Sequence, residues 1–187
     1  MTTPRTPDDV LRFWREAGPE RWFKKDDGFD GAIRERFATT LEAAGRGELD
    51  RWAETPAGAL ALILVLDQFS RNLHRESARA FANDAKALEL CAKVRREGWV
   101  DALLADGETE SIAIFALMPL MHSEAIGDQE AGVAAMLRPE WSVNFDFAVL
   151  HRDIILRFGR FPHRNSVLGR HTSAAEREYL ANGGFGG

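Results

Sequence analysis

The run "ALALILVL", Ala59 to Leu66, is apolar at every position and changes abruptly into "DQFSRNLHRE". Such a segment is apolar around its whole circumference, so as a helix it must be central in a fold, with other elements covering every side. Its polar end then carries Asp67, Gln68, Arg71 and Asn72 to the core boundary, where buried charges need partners. Asp67 and Arg71 are four apart and share a helix face, so a mutual ion pair solves the burial problem locally. The alternative is that Arg71 forms one wall of a ligand site.

Helix starts are written in the chemistry around this run. Thr6 is followed by Pro7, Asp8 and Asp9, Thr55 by Pro56, and "SAAE" at 173–176 is a capping box. Apolar spacing is helical between these starts, as at Ile33, Phe37, Leu41 and Ala44, and no stretch alternates as a strand does. The pattern predicts helices near 7–17, 29–44, 56–73, 83–97, 109–121, 124–137, 143–158 and 173–181. The expected fold is all-α, a compact bundle of antiparallel helix pairs. At 187 residues with 45% apolar content, one domain over 1–182 is expected, followed by a flexible Gly-rich tail at 183–187.

Two further polar segments abut apolar helices. In "FALMPLMHSEAIGDQE" Pro119 forces a kink or break, and Ser123 reads as the N-cap of a new helix. That places Glu124 and Asp128 four apart on one face, with His122 just outside the cap. The set reads either as an acid/base or metal cluster, or as carboxylates complementing the helix dipole with His122 bonded to backbone. In "FDFAVLHRDIILRFG", Gly159 reads as the C-cap residue. The following "GRFPHRNSVLG" holds Arg160, His163, Arg164 and Asn165 in a loop ended by Pro162. The window 151–171 has an excess of four positives in a chain at −5. Arg160 and Arg164 pair with acidic groups elsewhere, or they form a fork for a carboxylate or phosphate.

Function classes narrow by exclusion. A pI of about 5.6 and one basic window argue against a nucleic-acid binder. One cysteine, Cys91, fits a reducing compartment, and the chain lacks both a signal-peptide pattern and a spanning apolar stretch. A cytoplasmic protein without membrane contact is expected. His151-x-Asp153 and His122-x-Glu124 sit about 200° apart around a helix, so neither pair chelates a metal from one helix. No metal or cofactor is called for. The tryptophans Trp14, Trp22, Trp52, Trp99 and Trp141 read as wedges between helices. Oligomeric state has no sequence signal.

The stretches "ALILVLDQFSRNLHRESARAFANDAKAL", "LMPLMHSEAIGDQE" and "HRDIILRFGRFPHRNSVLGR", with "VLRFWREAGPERWFKKDDGFDGAIRERF", resemble the signatures of the bacterial domain-of-unknown-function 924 family. The resemblance spans nearly the whole chain. It implies a tetratricopeptide-like superhelix of helix pairs, and it supplies no activity. A 34-residue repeat is not readable in the chain, so any repeats are degenerate. If the ends of several helices meet in one groove, Asp67 and Arg71 converge with His122, Glu124, His151 and Arg160 to Asn165.

Three functions follow. The first is binding of a small anionic ligand or acidic peptide end, with Arg71, Arg160 and Arg164 as fork and His122 and His151 as donors. The second is a helical scaffold for a protein partner, with an internally satisfied polar network. The third is a hydrolase using His122, Glu124, Asp128 or His151.

Overall fold

The computed structural model describes residues 3–186, so residues 1, 2 and 187 of the expected domain and tail lie outside the described residues. The described residues are helical and contain no strand, as the periodicity predicts. No helix among them is long and apolar enough to cross a membrane. They form two compact units, one of residues 3–75 and 79–119, the other of 76–78 and 120–186.

The first unit begins with α1 (Pro7–Ala17), entered through a capping box in which Thr6 and Asp9 satisfy each other's backbone N–H groups. The short α2 (Pro19–Trp22) follows, then α3 (Asp27–Gly45) and a 3-10 turn at Asp50–Glu54. Next comes α4 (Pro56–Ile63), with Thr55 Oγ accepting from Gly58 N at 3.2 Å. It runs into a π-helical turn at Leu64–Phe69 and ends as α5 (Ser70–Leu73). Then come α6 (Asp84–Arg96), α7 (Trp99–Ala105) and α8 (Glu110–Ala113). All eight residues of "ALALILVL" have zero exposure, and α4 packs against α1, α6, α7 and the 50–54 turn. At about 1.5–3 kcal/mol for each large apolar side chain, this burial anchors the unit. Trp14 packs beside it against Trp22, Phe29, Phe69 and Phe115 at centroid distances of 5.3–5.8 Å.

Pro119 lies in the first turn of α9 (Met118–His122), where its missing N–H costs nothing. The break falls before it, at Leu117 after a 3-10 turn. The second unit continues with α10 (Ile126–Ala135), α11 (Ser142–Phe158) and α12 (Ala174–Ala181). α10 packs on α11, and Gly159 closes α11 at φ 67°, as its position after the apolar run predicts. Trp141 is buried, whereas Trp52 and Trp99 of the first unit are half-buried.

Several expectations change. The helix expected from 124 starts at Ile126, with Ala125 rather than Ser123 at its N-cap. Ser123 Oγ instead accepts from Ala125 N at 3.1 Å and donates to Asp128 at 2.6 Å. Local side-chain to backbone bonding has won over helix nucleation there, so Glu124 and Asp128 do not form a facing pair on one helix. The segment 183–186 is packed rather than free: Gly184 N donates to the Tyr179 carbonyl at 2.9 Å and Phe185 lies on the core of Ile154, Ile155 and Phe161. Burial of its one aromatic ring outweighs the freedom of the surrounding glycines.

Candidate functional site

In the first unit the π-helical turn delivers Asp67 and Gln68 into the interior. Such turns recur at functional positions because they re-aim side chains within a helix. Asp67, 1% exposed, receives Arg71 at 2.9 Å and the Gln68 amide at 2.6 Å. Arg71 also forks onto Asp84, with both contacts at 3.1 Å. Asn72 and Arg75 converge on buried Asp30, at 2.7 Å for the amide and 2.5 and 3.0 Å for the guanidinium. The expected Asp67–Arg71 pair is thus present within a larger network, in which Asp30, Arg75 and Asp84 went unread because their partners lie 13 to 45 residues away.

The same unit holds a cavity of about 390 Å³ that no sequence motif announces. Its polar lining comprises Arg34, Glu42, His74, Arg79 and Asn83, and its floor includes Leu41 and Leu73. Arg34 donates to the Leu73 carbonyl at 3.2 Å. Burial lowers the His74 pKa, and Arg79 and Arg34 lower it further against the opposing pull of Glu42. Among the charges around the imidazole the two guanidiniums thus outweigh Glu42, although burial is the larger cause of the shift.

The second unit assembles His122, Glu124, His151 and the 160–165 loop around the C-terminal end of α9. Its last carbonyls need donors, and Gln129 supplies its amide to Met121 and Ser123 at 2.9 and 2.6 Å. Arg164 supplies a guanidinium to His122 at 3.0 Å and lies over the Phe161 ring at 4.4 Å. Gln129, 1% exposed, carries no signal in the sequence that would set it apart from a surface glutamine. Glu124 accepts from Phe161 N at 2.8 Å and from Arg170 at 2.7 and 3.1 Å. Burial pushes its pKa up, but the Arg170 pair and the Phe161 N–H together outweigh this and hold it below the usual carboxylate range.

Arg160 forks onto Glu176 at 2.6 and 2.9 Å and donates to the His171 carbonyl. Glu176 is also the capping-box partner of Ser173 N, at 2.7 Å. Arg160, opposed by burial but joined by Ser173, holds the Glu176 carboxyl far below its ordinary range. Asp128 is occupied by Ser123.

His151 is 6% exposed, and neither ring nitrogen makes a hydrogen bond of good geometry. Burial first, then His122, Arg164 and His163, push its pKa down to about 3, with only a weak opposing pull from the Met121 carbonyl. His163 falls to about 4 through burial and Arg164, against Glu124. Its Nδ1 and the buried Asn165 Oδ1 likewise have no hydrogen-bond partner. Among the described residues no group of three or more His, Cys, Asp or Glu is placed to hold a metal ion.

An all-helical chain with arginine–carboxylate networks, in which buried His151 and half-buried His163 pack on phenyl rings, defines the class structurally. The chain belongs to the family of bacterial proteins of unknown function, domain of unknown function 924, whose sequence profile matches residues 10–184. It is similar to a solved structure of a protein of unknown function from Agrobacterium tumefaciens. The two share 39% identity and a TM-score of 0.88, over 94% of this chain and 97% of that one. No curated protein matches.

Proposed function

We propose that the chain binds a small anion, carboxylate or phosphate, and that the cavity of the first unit is where it does so. The observation that carries this reading is the lining itself: Arg34, Arg79 and His74 face a cavity of about 390 Å³ with Glu42 as the opposing charge. Ligand sites generally enclose roughly 300–1,000 Å³ and orient their ligand with a few polar groups. A guanidinium is the side chain suited to oxyanions. The sequence points instead to Arg71, Arg160 and Arg164 as the fork, but the first two are already closed on carboxylates of this chain and Arg164 donates to the His122 carbonyl.

A hydrolase using Glu124, Asp128 or His151 is less well supported. Glu124 is held as an ion-paired carboxylate, Asp128 accepts from Ser123, and a histidine with a pKa near 3 is a weak base at neutral pH. The scaffold reading has its own support, because Val143, Phe147 and Leu150 are 66%, 48% and 39% exposed at i, i+4 and i+7 on α11.

Thermal unfolding separates these readings. An anion at 100 times its dissociation constant stabilises by about 2.7 kcal/mol, which for a chain of this size raises Tm by roughly 5–10 °C. Inorganic phosphate or citrate is expected to give such a rise in the intact chain and none in the Arg34→Ala/Arg79→Ala double variant. An equal rise in the double variant removes the cavity from consideration, and no rise with any anion leaves the scaffold reading ahead.

A further inference from the structure

The second unit contains a four-ring cluster that neither the ion-pair network nor the first unit's cavity explains. His151 contacts Phe161 at 5.4 Å and Phe185 at 4.6 Å between ring centroids, and His163 contacts the same two rings at 5.5 and 5.3 Å. Each imidazole therefore touches both phenyl rings. Phe161 is fixed from both sides of its peptide, its N–H on Glu124 and its carbonyl on Arg170, with Arg164 stacked over its face. Phe185 is held differently. It is half-buried, its N–H donates to the Tyr179 hydroxyl at 2.9 Å, and the preceding Gly184 N–H meets the Tyr179 carbonyl. A Cβ at Gly184 would come within 2.6 Å of the Tyr179 ring and carbonyl, so the segment is shaped to bring this one ring inward.

Burying polar atoms without partners is rare, and each instance calls for an explanation. Here His163 Nδ1 lacks a partner and neither His151 nitrogen makes a hydrogen bond of good geometry, the Met121 carbonyl being only a weak acceptor, while a phenyl ring, whose face is at best a weak acceptor, covers the imidazoles. A neutral imidazole has one donor and one acceptor, and an acceptor carried on an aromatic ring would satisfy the donors as Phe185 cannot. The Arg164 guanidinium on the wall formed by Phe161 favours a negative acceptor.

We infer that Phe161, His151 and His163 form a niche for a small aromatic carboxylate, and that Phe185 fills this niche in cis until such a ligand displaces it. Aromatic rings prefer edge-on and offset contacts of the kind Phe185 makes, so a ligand ring can take its position with the same geometry. The inference is independent of the anion cavity in the first unit.

The test uses benzoate as probe, in the Arg34→Ala/Arg79→Ala background so that the cavity contributes nothing, and follows His151 and His163 side-chain resonances by NMR. Phe185→Ala is expected to bind benzoate at least tenfold more tightly than its Phe185 parent, shifting both histidines. Adding His151→Phe is expected to weaken binding at least tenfold. Cyclohexanecarboxylate, an anion without an aromatic ring, is expected to leave the resonances in place. Absence of a benzoate response in folded Phe185→Ala, or an equal response to cyclohexanecarboxylate, overturns the inference. Should Phe185→Ala not fold, the Phe185 chain is titrated to saturation: loss of the Phe185–His151 ring contact supports displacement, and its persistence overturns it.

Discussion

Gly58→Ala is expected to destabilise the first unit by about 3 kcal/mol, the upper part of the usual range for overpacking. In a helix interior the same exchange ordinarily stabilises by roughly 0.5–1 kcal/mol, so the sign itself is diagnostic. The reason lies in how α4 begins. Thr55 caps it and Pro56 sets its first φ, and together these press the helix start onto the 3-10 turn at Asp50–Glu54. A Cβ on Gly58 would lie 2.1 Å from the Trp52 carbonyl oxygen and 2.9 Å from Thr55 Oγ. The first of these is backbone, so no rotamer change relieves the overlap. Relief requires α4 to move, and α4 carries into the core the apolar run whose every residue has zero exposure. Chemical denaturation checks the size of the effect, with Gly127→Ala in α10 as control, since a Cβ there meets nothing within 4 Å. Parent-like stability of Gly58→Ala would show that the start of α4 is not the rigid joint described.

Gly58 also marks the limit of what the sequence discloses. A central apolar helix, its Thr55 cap, the capping boxes at Thr6 and Ser173 and the stop at Gly159 are all local patterns, and each is readable because its partners lie within a few residues. The π-helical turn at Leu64–Phe69 keeps the apolar pattern of an α-helix and so leaves no trace in spacing. Helix α7 at Trp99–Ala105 is only seven residues long, too short for periodicity to announce it. Ser123 misleads because a hydroxyl before a carboxylate suits an N-cap and an isolated side-chain bridge equally well.

For the candidate sites, residue type was legible and partnership was not. Arg71 and Arg160 stand out as cations next to apolar helices, but the carboxylates that close them, Asp84 and Glu176, are 13 and 16 residues away. Arg34 on α3, His74 at the end of α5 and Arg79 in the 3-10 turn Ala78–Phe81 meet at one cavity only through the tertiary fold. Single cations dispersed along a chain are the default solvated surface, so nothing in the sequence distinguishes these from the rest.

Acidification from pH 7 to pH 5 is expected to destabilise the second unit by about 2 kcal/mol through His151 alone, taking 1.36 kcal/mol per pH unit below the ordinary value. In the folded chain the His151 pKa is lowered from 6.5 to about 3 and that of His163 to about 4, so both rings stay neutral while folded. The unfolded chain takes up their protons as pH falls through 6.5. Stability from these groups is therefore complete above that value and declines with falling pH until the folded rings can themselves be protonated. His163, whose folded pKa also lies below 5, adds a similar share of the same sign by the same linkage. Glu124 and Glu176, whose carboxyls are held below the ordinary 4.5, contribute in the same direction but only at more acidic pH, so pH 5 isolates the histidines. Amide exchange at Ile154 and Ile155 of α11 reports on this unit separately from His74, which titrates in the other. His151→Phe removes the titrating ring without removing any hydrogen bond of good geometry, because neither nitrogen makes one. The variant is expected to lose about 2 kcal/mol less than the parent between pH 7 and pH 5, by the same linkage. An identical pH dependence in parent and variant would mean that His151 is protonated in the folded chain at pH 5, and that the cluster of Phe161, Phe185 and the two imidazoles is wetter than its burial implies.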